Sequence, residues 1–296
     1  MGVLEELEAA ATAVAATVGP AVVRIGRGGG RGAGVVVREG VVVTNAHNLR
    51  GAEATVTFAD GRSEPGRAAG VDVDGDLAVL AVDTGAVAPL VRAPGAPRPG
   101  AAVFAVTAGG GGSGARVSFG LVSAVGQDFR GPGGRRITDS LEHTAPLPRG
   151  SSGSPVVDGA GRLVGLNTNR LGDGFYLALP ADDALEARID ALTRGEGPVR
   201  RHLGVALAPP RAARHLRRAV GLPERDGLLV RDVEDASPAS RAGLQEGDLL
   251  VASGDRALAD LDDLWAALDG VAAGGSLPLT VVRGIEELHV SVAFEA

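Results

Sequence analysis

From Gly34 to about Pro180 the apolar positions fall in short runs, each bounded by Gly, Pro or Asp. Examples are Gly34–Val37, Val41–Thr44, Ala54–Phe58, Leu77–Val82, Ala101–Val106, Phe119–Val125, Ser154–Val157, Leu163–Leu166 and Phe175–Leu179. Regular short strands separated by turn signals predict an all-β barrel or sandwich. The nearly pure glycine stretch Ala108–Gly114 is expected to be a flexible loop. Ahead of these strands, the alanine-rich run Ala9 to Val23 reads as a short helix leading into a strand at Ala21–Ile25.

The pattern changes after Pro180. Leu185, Ile189 and Leu192 recur at helical spacing over Asp182–Leu192, with Asp182 as a cap. A polar, Gly/Pro-containing stretch, Arg194–Arg201, reads as a linker. Beyond it strands mix with two helices. Ser237-Pro238 starts a short helix that Gly243 ends. Gly247-Asp248 turns into a strand over Leu249–Ala252. Asp260–Leu268 presents Leu261, Leu264, Trp265 and Leu268 on one helix face. A hairpin is expected between Leu277–Val282 and Leu288–Phe294 across Arg283-Gly284. The expected domains are therefore 1–181, a helix and linker over 182–201, and 202–296.

Composition narrows the function classes. At 296 residues the chain is long enough for two domains with separate cores. With 45% hydrophobic and 22% charged residues it is of ordinary globular type. A net charge of −7 argues against a nucleic-acid partner. The absence of cysteine excludes a thiol nucleophile, a disulfide framework and a Cys-ligated zinc. No cofactor or metal is expected. The run Ala9–Val23 is too short for a membrane span, and Glu5, Glu6 and Glu8 precede it where a leader would be basic. As written the chain is expected to be cytoplasmic. The alternative is a periplasmic or secreted protein whose leader has been removed.

Three segments carry candidate chemistry. Thr44-Asn45-Ala46-His47 follows an apolar strand, and Asp76 stands at the mouth of another, Leu77-Ala78-Val79-Leu80. Gly150-Ser151-Ser152-Gly153-Ser154-Pro155 is a glycine-flanked serine entering a third. A serine hydroxyl needs a base to take its proton, and imidazole titrates in the right range. A carboxylate then fixes the tautomer and stabilises the imidazolium. Glycines around the serine let backbone N–H groups approach an oxyanion. His143, His202, His215 and His289 read as structural or exposed.

The order His47, Asp76, Ser152, with about thirty and then about seventy-five residues between them, resembles the trypsin-like fold. Within it the strings TNAH, DLAVL, GSSGSP and GFYLALP resemble the HtrA/Deg kind of serine protease. Residues 202–296 resemble a bacterial, circularly permuted PDZ domain. The strings are His202-Leu203-Gly204-Val205, Gly227-Leu228-Leu229-Val230, Ser237-Pro238-Ala239 and Ala242-Gly243-Leu244 with Gly247-Asp248. The resemblance implies a mainly β chain: a double six-stranded β-barrel followed by a small α+β PDZ domain. It implies catalysis by Ser152, His47 and Asp76, with an oxyanion hole from the N–H groups of Gly150 and Ser152. Asp76 is preferred to Asp74 because the family's acid directly precedes Leu-Ala. Leu203, Gly204 and Val205 would bind a peptide's C-terminal carboxylate, with Asp260–Leu268 as the other wall. Trp265 reads as core.

The implied substrates are unfolded or misfolded proteins, and the implied PDZ ligands are peptide C-termini. Relatives commonly trimerise through N-terminal aromatic residues. Residues 1–33 contain none, so a homotrimer would use the barrel surfaces. Three departures stand out: Ser151 where Asp or Asn is usual, Ser154 for a second glycine, and Asn48 where Val is common. Proteases of this fold that cut after basic residues hold an acid six positions before the nucleophile. Here that position is Pro146, beside Ala145 and Leu147, so cleavage after small or medium aliphatic residues is expected. The competing classes are a catalytically weak chaperone of the same fold and a scaffold in which only the PDZ domain matters.

Overall fold

Residues 2–26, 32–109, 114–131, 134–197 and 201–295 are described in this computed structural model. Residues 110–113 of the expected glycine loop and 198–200 of the expected linker lie outside them. The chain divides into two compact units, Met1–Pro198 and Val199–Ala296.

The first unit opens on α1 (Val3–Val18), which begins earlier than the alanine run suggested. Glu5 and Glu6 lie in its first turn, where acids oppose the helix dipole favourably, and the Glu5 carboxylate accepts from the Gly2 N–H at 2.9 Å. After a 3₁₀ turn at Gly19–Ala21 the chain builds a closed barrel. Its strands are β1 (Val22–Ile25), β2 (Gly32–Arg38), β3 (Val41–Thr44), β4 (Glu53–Thr57), β5 (Ser63–Asp72) and β6 (Leu77–Ala81). They pair antiparallel in the order β1-β2-β3-β6-β5-β4 and close through β1 and β4. Small β-branched side chains, among them Ile25, Val35, Val43, Val56 and Val79, fill the interior. With so few aromatics, closure brings these short side chains into contact from all sides.

A second closed barrel follows: β7 (Ala102–Ala108), β8 (Ala115–Arg130), β9 (Arg136–His143), β10 (Pro155–Val157), β11 (Leu163–Gly172) and β12 (Phe175–Pro180). Its order is β10-β11-β12-β9-β8-β7. Helix α1 lays Val14 and Val18 against Phe104, Val106 and Val157 of this barrel. After β12, α2 (Asp183–Thr193) returns to the first barrel. There Leu185, Ile189 and Leu192 join the core, and Asp182 caps the helix by accepting from the Leu185 N–H. Helix α2 is thus a structural part of the first unit.

Two strands had no clear apolar signal, β5 (SEPGRAAGVD) and β9 (RITDSLEH). Both complete barrels by backbone pairing, which does not depend on side-chain polarity.

The second unit comprises β13 (Val205–Ala208), α3 (Pro210–Ala219), β14 (Leu228–Val233), α4 (Pro238–Arg241), β15 (Leu249–Ser253), β16 (Arg256–Ala257), α5 (Leu261–Asp269), β17 (Ser276–Arg283) and β18 (Glu286–Ala293). The sheet runs β13-β14-β15-β17-β18, with β16 on β15, so β13 lies at an edge. Helix α5 packs Leu264 and Leu268 into the core, and Trp265 is partly buried against it. Helix α3 was not anticipated. Its Ala, Arg and Leu residues favour helix, and Ala213 and Leu216 pack with Leu229 and Leu249. The last hairpin turns at Gly284-Ile285, one residue later than expected, because Arg283 already pairs with Glu286. Among the described residues no helix is long and apolar enough to cross a membrane.

Candidate active site

Strand β3 ends at Thr44, and a single 3₁₀ turn, Ala46–Asn48, presents His47 to the groove between the two barrels. The turn from β5 into β6 places Asp76 directly before Leu77, with φ +50. His47 Nδ1 lies 2.9 Å from both Asp76 carboxylate oxygens, and its backbone N–H donates to Oδ1 at 3.2 Å. The Thr168 hydroxyl, from β11 of the other barrel, donates to Oδ2 at 2.6 Å. Asn45 Nδ2 donates to the Asp76 carbonyl at 2.9 Å, holding this peptide in place. Asp76 is fully buried, whereas the His47 side chain is 30% exposed. The carboxylate is therefore occupied on both oxygens, and the free edge of the imidazole faces solvent. Asp74 instead pairs with Arg135 at 3.0 Å.

Ser152 sits in a tight turn between Gly150 (φ +82) and Gly153 (φ +88), just before β10. Its backbone is held from both barrels. The Ser152 carbonyl accepts from the Ala33 N–H at 2.8 Å and from Asn48 Nδ2 at 2.9 Å. The Gly153 N–H donates to the Asn167 carbonyl at 2.7 Å. Among the described residues the Ser152 hydroxyl donates to the Thr168 carbonyl, at 3.1 Å, and makes no bond to His47. Ser151 is buried and its hydroxyl donates to the Pro148 carbonyl at 2.7 Å. Ser154 accommodates its side chain without crowding, because Asn167 Nδ2 reaches both its carbonyl (3.0 Å) and its hydroxyl (3.1 Å).

Behind this loop lies His143, fully buried. Burial pushes its imidazole below the ordinary histidine range, while its bond to Asn167 opposes that. The Ala145 N–H donates to Nδ1 at 3.2 Å, so the ring is the Nε2–H tautomer, donating to Asn167 Oδ1 at 2.8 Å. The chain His143, Asn167, Ser154 stiffens the turn that carries Ser152.

The open face of this arrangement is a cleft of about 510 Å³ containing His47, Asp76 and Ser152. Sequence reading located the three candidate catalytic residues but not Asn48, Asn167 or Thr168. Their one available signal was polarity out of place: Asn167-Thr168 continues the apolar run Leu163–Leu166 inside β11, and both are buried.

In the second unit, Leu203 is buried in the core and its carbonyl accepts from the Ala239 N–H. Gly204 has φ +80, and a Cβ there would lie 2.2 Å from that of Ser237, so the turn admits only glycine. The Gly204 carbonyl accepts from Glu234 N–H, and Val205 begins the edge strand β13.

Comparison with known proteins agrees with both units. Residues 32–166 match the trypsin-like peptidase domain model and residues 202–294 the PDZ domain model. A Brucella suis protein named "Probable periplasmic serine endoprotease DegP-like" is 31% identical over 274 residues, covering 89% of this chain and 52% of that protein. "Protease Do-like 1, chloroplastic" of Arabidopsis thaliana is 29% identical over 295 residues, covering 90% of this chain and 64% of that one. The chain thus spans about half to two thirds of the length of these relatives. Among solved structures, the HtrA-type protease AlgW with a decapeptide has the same fold, with TM-score 0.68, 24% identity, and coverage of 96% of this chain and 98% of that one. A trypsin-like peptidase domain is thus followed by a PDZ domain, and across both the chain is similar to DegP-like and HtrA-type serine proteases.

Proposed function

We propose that this chain is a serine endopeptidase that hydrolyses peptide bonds of unfolded or damaged proteins, using Ser152, His47 and Asp76. The observation that carries the reading is the convergence on one cleft of a serine in a glycine-flanked turn and a histidine held by a fully buried carboxylate. In the first step Ser152 Oγ leaves the Thr168 carbonyl, passes its proton to His47 Nε2 and attacks the scissile carbonyl carbon. Asp76 keeps Nδ1 protonated and stabilises the imidazolium. The N–H groups of Gly150 and Ser152 take up the negative charge on the oxygen. His47 then gives the proton to the leaving amine, and water, deprotonated by the same ring, releases the acyl group from Ser152.

The catalytic domain is proposed over 1–181, with helix and linker over 182–201 and the PDZ domain over 202–296. A peptide C-terminus would add as a strand along β13, its carboxylate meeting the N–H groups of the Leu203-Gly204-Val205 turn. Trp265 is the single tryptophan, so a saturable change in its fluorescence on titration with a C-terminal peptide, absent with the C-terminally amidated peptide, is the expected result. Equal responses to both peptides would remove the carboxylate from this reading. A homotrimer, if formed, would use the barrel surfaces. A periplasmic or secreted setting is preferred to the cytoplasm, supported by the name of the Brucella relative.

A second reading, a latent peptide-binding protein of the same fold, is favoured by one feature: the Ser152 hydroxyl is engaged by Thr168 rather than by His47. Labelling with a fluorophosphonate probe separates the two. The expected result is a single adduct mapped to Ser152 and absent in Ser152→Ala. No adduct under any condition would put the peptide-binding reading first.

A further inference from the structure

The charge of the cleft is not that of the molecule. The chain carries a net −7, and many of its arginines, such as Arg38, Arg162, Arg188 and Arg283, are held by carboxylates. Yet among the described residues the only carboxylate lining the cleft is Asp76, which is buried and committed to His47 and Thr168. Three arginines line the same cleft: Arg130, Arg149 and Arg170. Among the described residues, neither Arg149 nor Arg170 has a carboxylate partner.

Arg170 is the one placed to read a substrate. It stands on β11 two residues beyond Thr168, whose carbonyl holds the Ser152 hydroxyl. Its guanidinium lies over the Tyr176 ring, 5.1 Å from the centroid, and Nη2 donates to the Leu147 carbonyl on the facing wall, in the segment that leads into Ser152. The Tyr176 ring is in turn stacked against His143, at 5.7 Å. The guanidinium is thus oriented by a ring and a carbonyl beside the nucleophile, while among the described residues Nε, Nη1 and the second Nη2 proton remain to donate, so that Nη2 with either neighbour still offers a two-pronged edge. Leu147 and Tyr176 supply apolar contact for methylenes.

We infer that Arg170 makes this cleft selective for an acidic side chain on the residue preceding the cleaved bond. A carboxylate fits a planar guanidinium through two parallel hydrogen bonds, and the surrounding positive field draws acidic segments towards the site. An aliphatic side chain at that place would leave the guanidinium donors without water or partner, at a cost. The aliphatic preference was expected from Pro146, six positions before the serine, and its neighbours Ala145 and Leu147. The charge instead enters from a different strand. This inference rests on the protease reading.

The test uses the full chain and internally quenched peptides that differ only in the residue before the cut: Asp, Glu, Val, Ala or Arg. The expected kcat/KM is about 10- to 100-fold higher for Asp or Glu than for Val, the scale of a charge-assisted hydrogen bond. Arg170→Gln should abolish that preference, and Arg170→Glu should shift cutting towards Arg. Fluorophosphonate labelling of Ser152 is measured on each variant as the readout of an assembled site. Wild-type cutting mainly after Val or Ala, or an acid preference unchanged in Arg170→Gln, overturns the inference. So does a uniform rise on all peptides in Arg170→Gln, since Arg170 would then merely fill the pocket. No cleavage and no adduct overturns the protease reading itself, and this inference with it. An adduct with aliphatic cutting overturns this inference alone.

Discussion

Asparagine in place of Asp76 should lower kcat about 10⁴-fold, the scale of this carboxylate-to-amide change in a serine-histidine-acid site. The effect follows from what the carboxylate does here. Its oxygens accept from His47 Nδ1, from the His47 backbone N–H and from Thr168 Oγ1. An amide of the same shape offers one oxygen and one NH₂. If the oxygen faces His47, the NH₂ meets the Thr168 hydroxyl, which can turn to accept, but the negative charge opposite the imidazolium is gone. If the NH₂ faces the ring, Nδ1 must accept, and Nε2 then carries the proton and cannot take one from Ser152. The fold should persist because volume and burial are unchanged. The measurement is the rate of hydrolysis of an unfolded protein by Asp76→Asn, with a thermal melt as control. A rate within tenfold of wild type, in a normally folded variant, would remove Asp76 from the triad.

Alanine in place of Gly153 should disable the site by geometry rather than chemistry. The backbone there has φ +88, and an added Cβ would sit 2.0 Å from the Ala33 carbonyl oxygen and 2.8 Å from Thr44 Oγ1. The strain of the left-handed conformation alone costs about 1–3 kcal/mol. The collision adds to it, and it falls on rigid backbone of β2. Relief requires β2 and the serine turn to part, which breaks the Ala33 N–H bond to the Ser152 carbonyl and loosens the Asn48 bond beside it. A shift of about 1 Å in a reacting group costs about 100-fold in rate. The expected outcome for Gly153→Ala is therefore a fluorophosphonate labelling rate at least about 100-fold lower, together with a lower melting temperature. Labelling at the wild-type rate would mean that the two barrels do not jointly hold the nucleophile.

Both variants bear on how much could be read without the structure. His47, Asp76 and Ser152 were legible as candidates because each stands at the end or mouth of an apolar strand and each is of a type that chemistry demands, while the choice of Asp76 over Asp74 came from the resemblance. Gly153 was legible only as one of the glycines that let backbone N–H groups approach an oxyanion. That it must be glycine depends on Ala33, more than a hundred residues earlier, whose carbonyl oxygen would lie 2.0 Å from an added Cβ. Asn48 read as a departure from a common valine, yet it bridges the Thr44 hydroxyl and the Ser152 carbonyl, each at 2.9 Å. Ser154 likewise read as a departure from a second glycine, yet Asn167 Nδ2 donates to its hydroxyl.

What the sequence determined by itself was set by local physics. The alternation of short valine-rich runs with turn residues dictated strands. The cap at Asp182 dictated a helix start. Residue chemistry then nominated a serine, a histidine and a carboxylate. Only the tertiary structure decided that the polar strands β5 and β9 would take their places within the barrels, because backbone pairing is blind to side chains. Only it brought Thr168 onto Asp76 and Asn48 onto Ser152, since a hydrogen bond between barrels depends on how two sheets cross and leaves no spacing rule in the chain. The same is true of the arginines. Arg130, Arg149 and Arg170 are unremarkable residues of an acidic protein until two closed barrels line one cleft with all three.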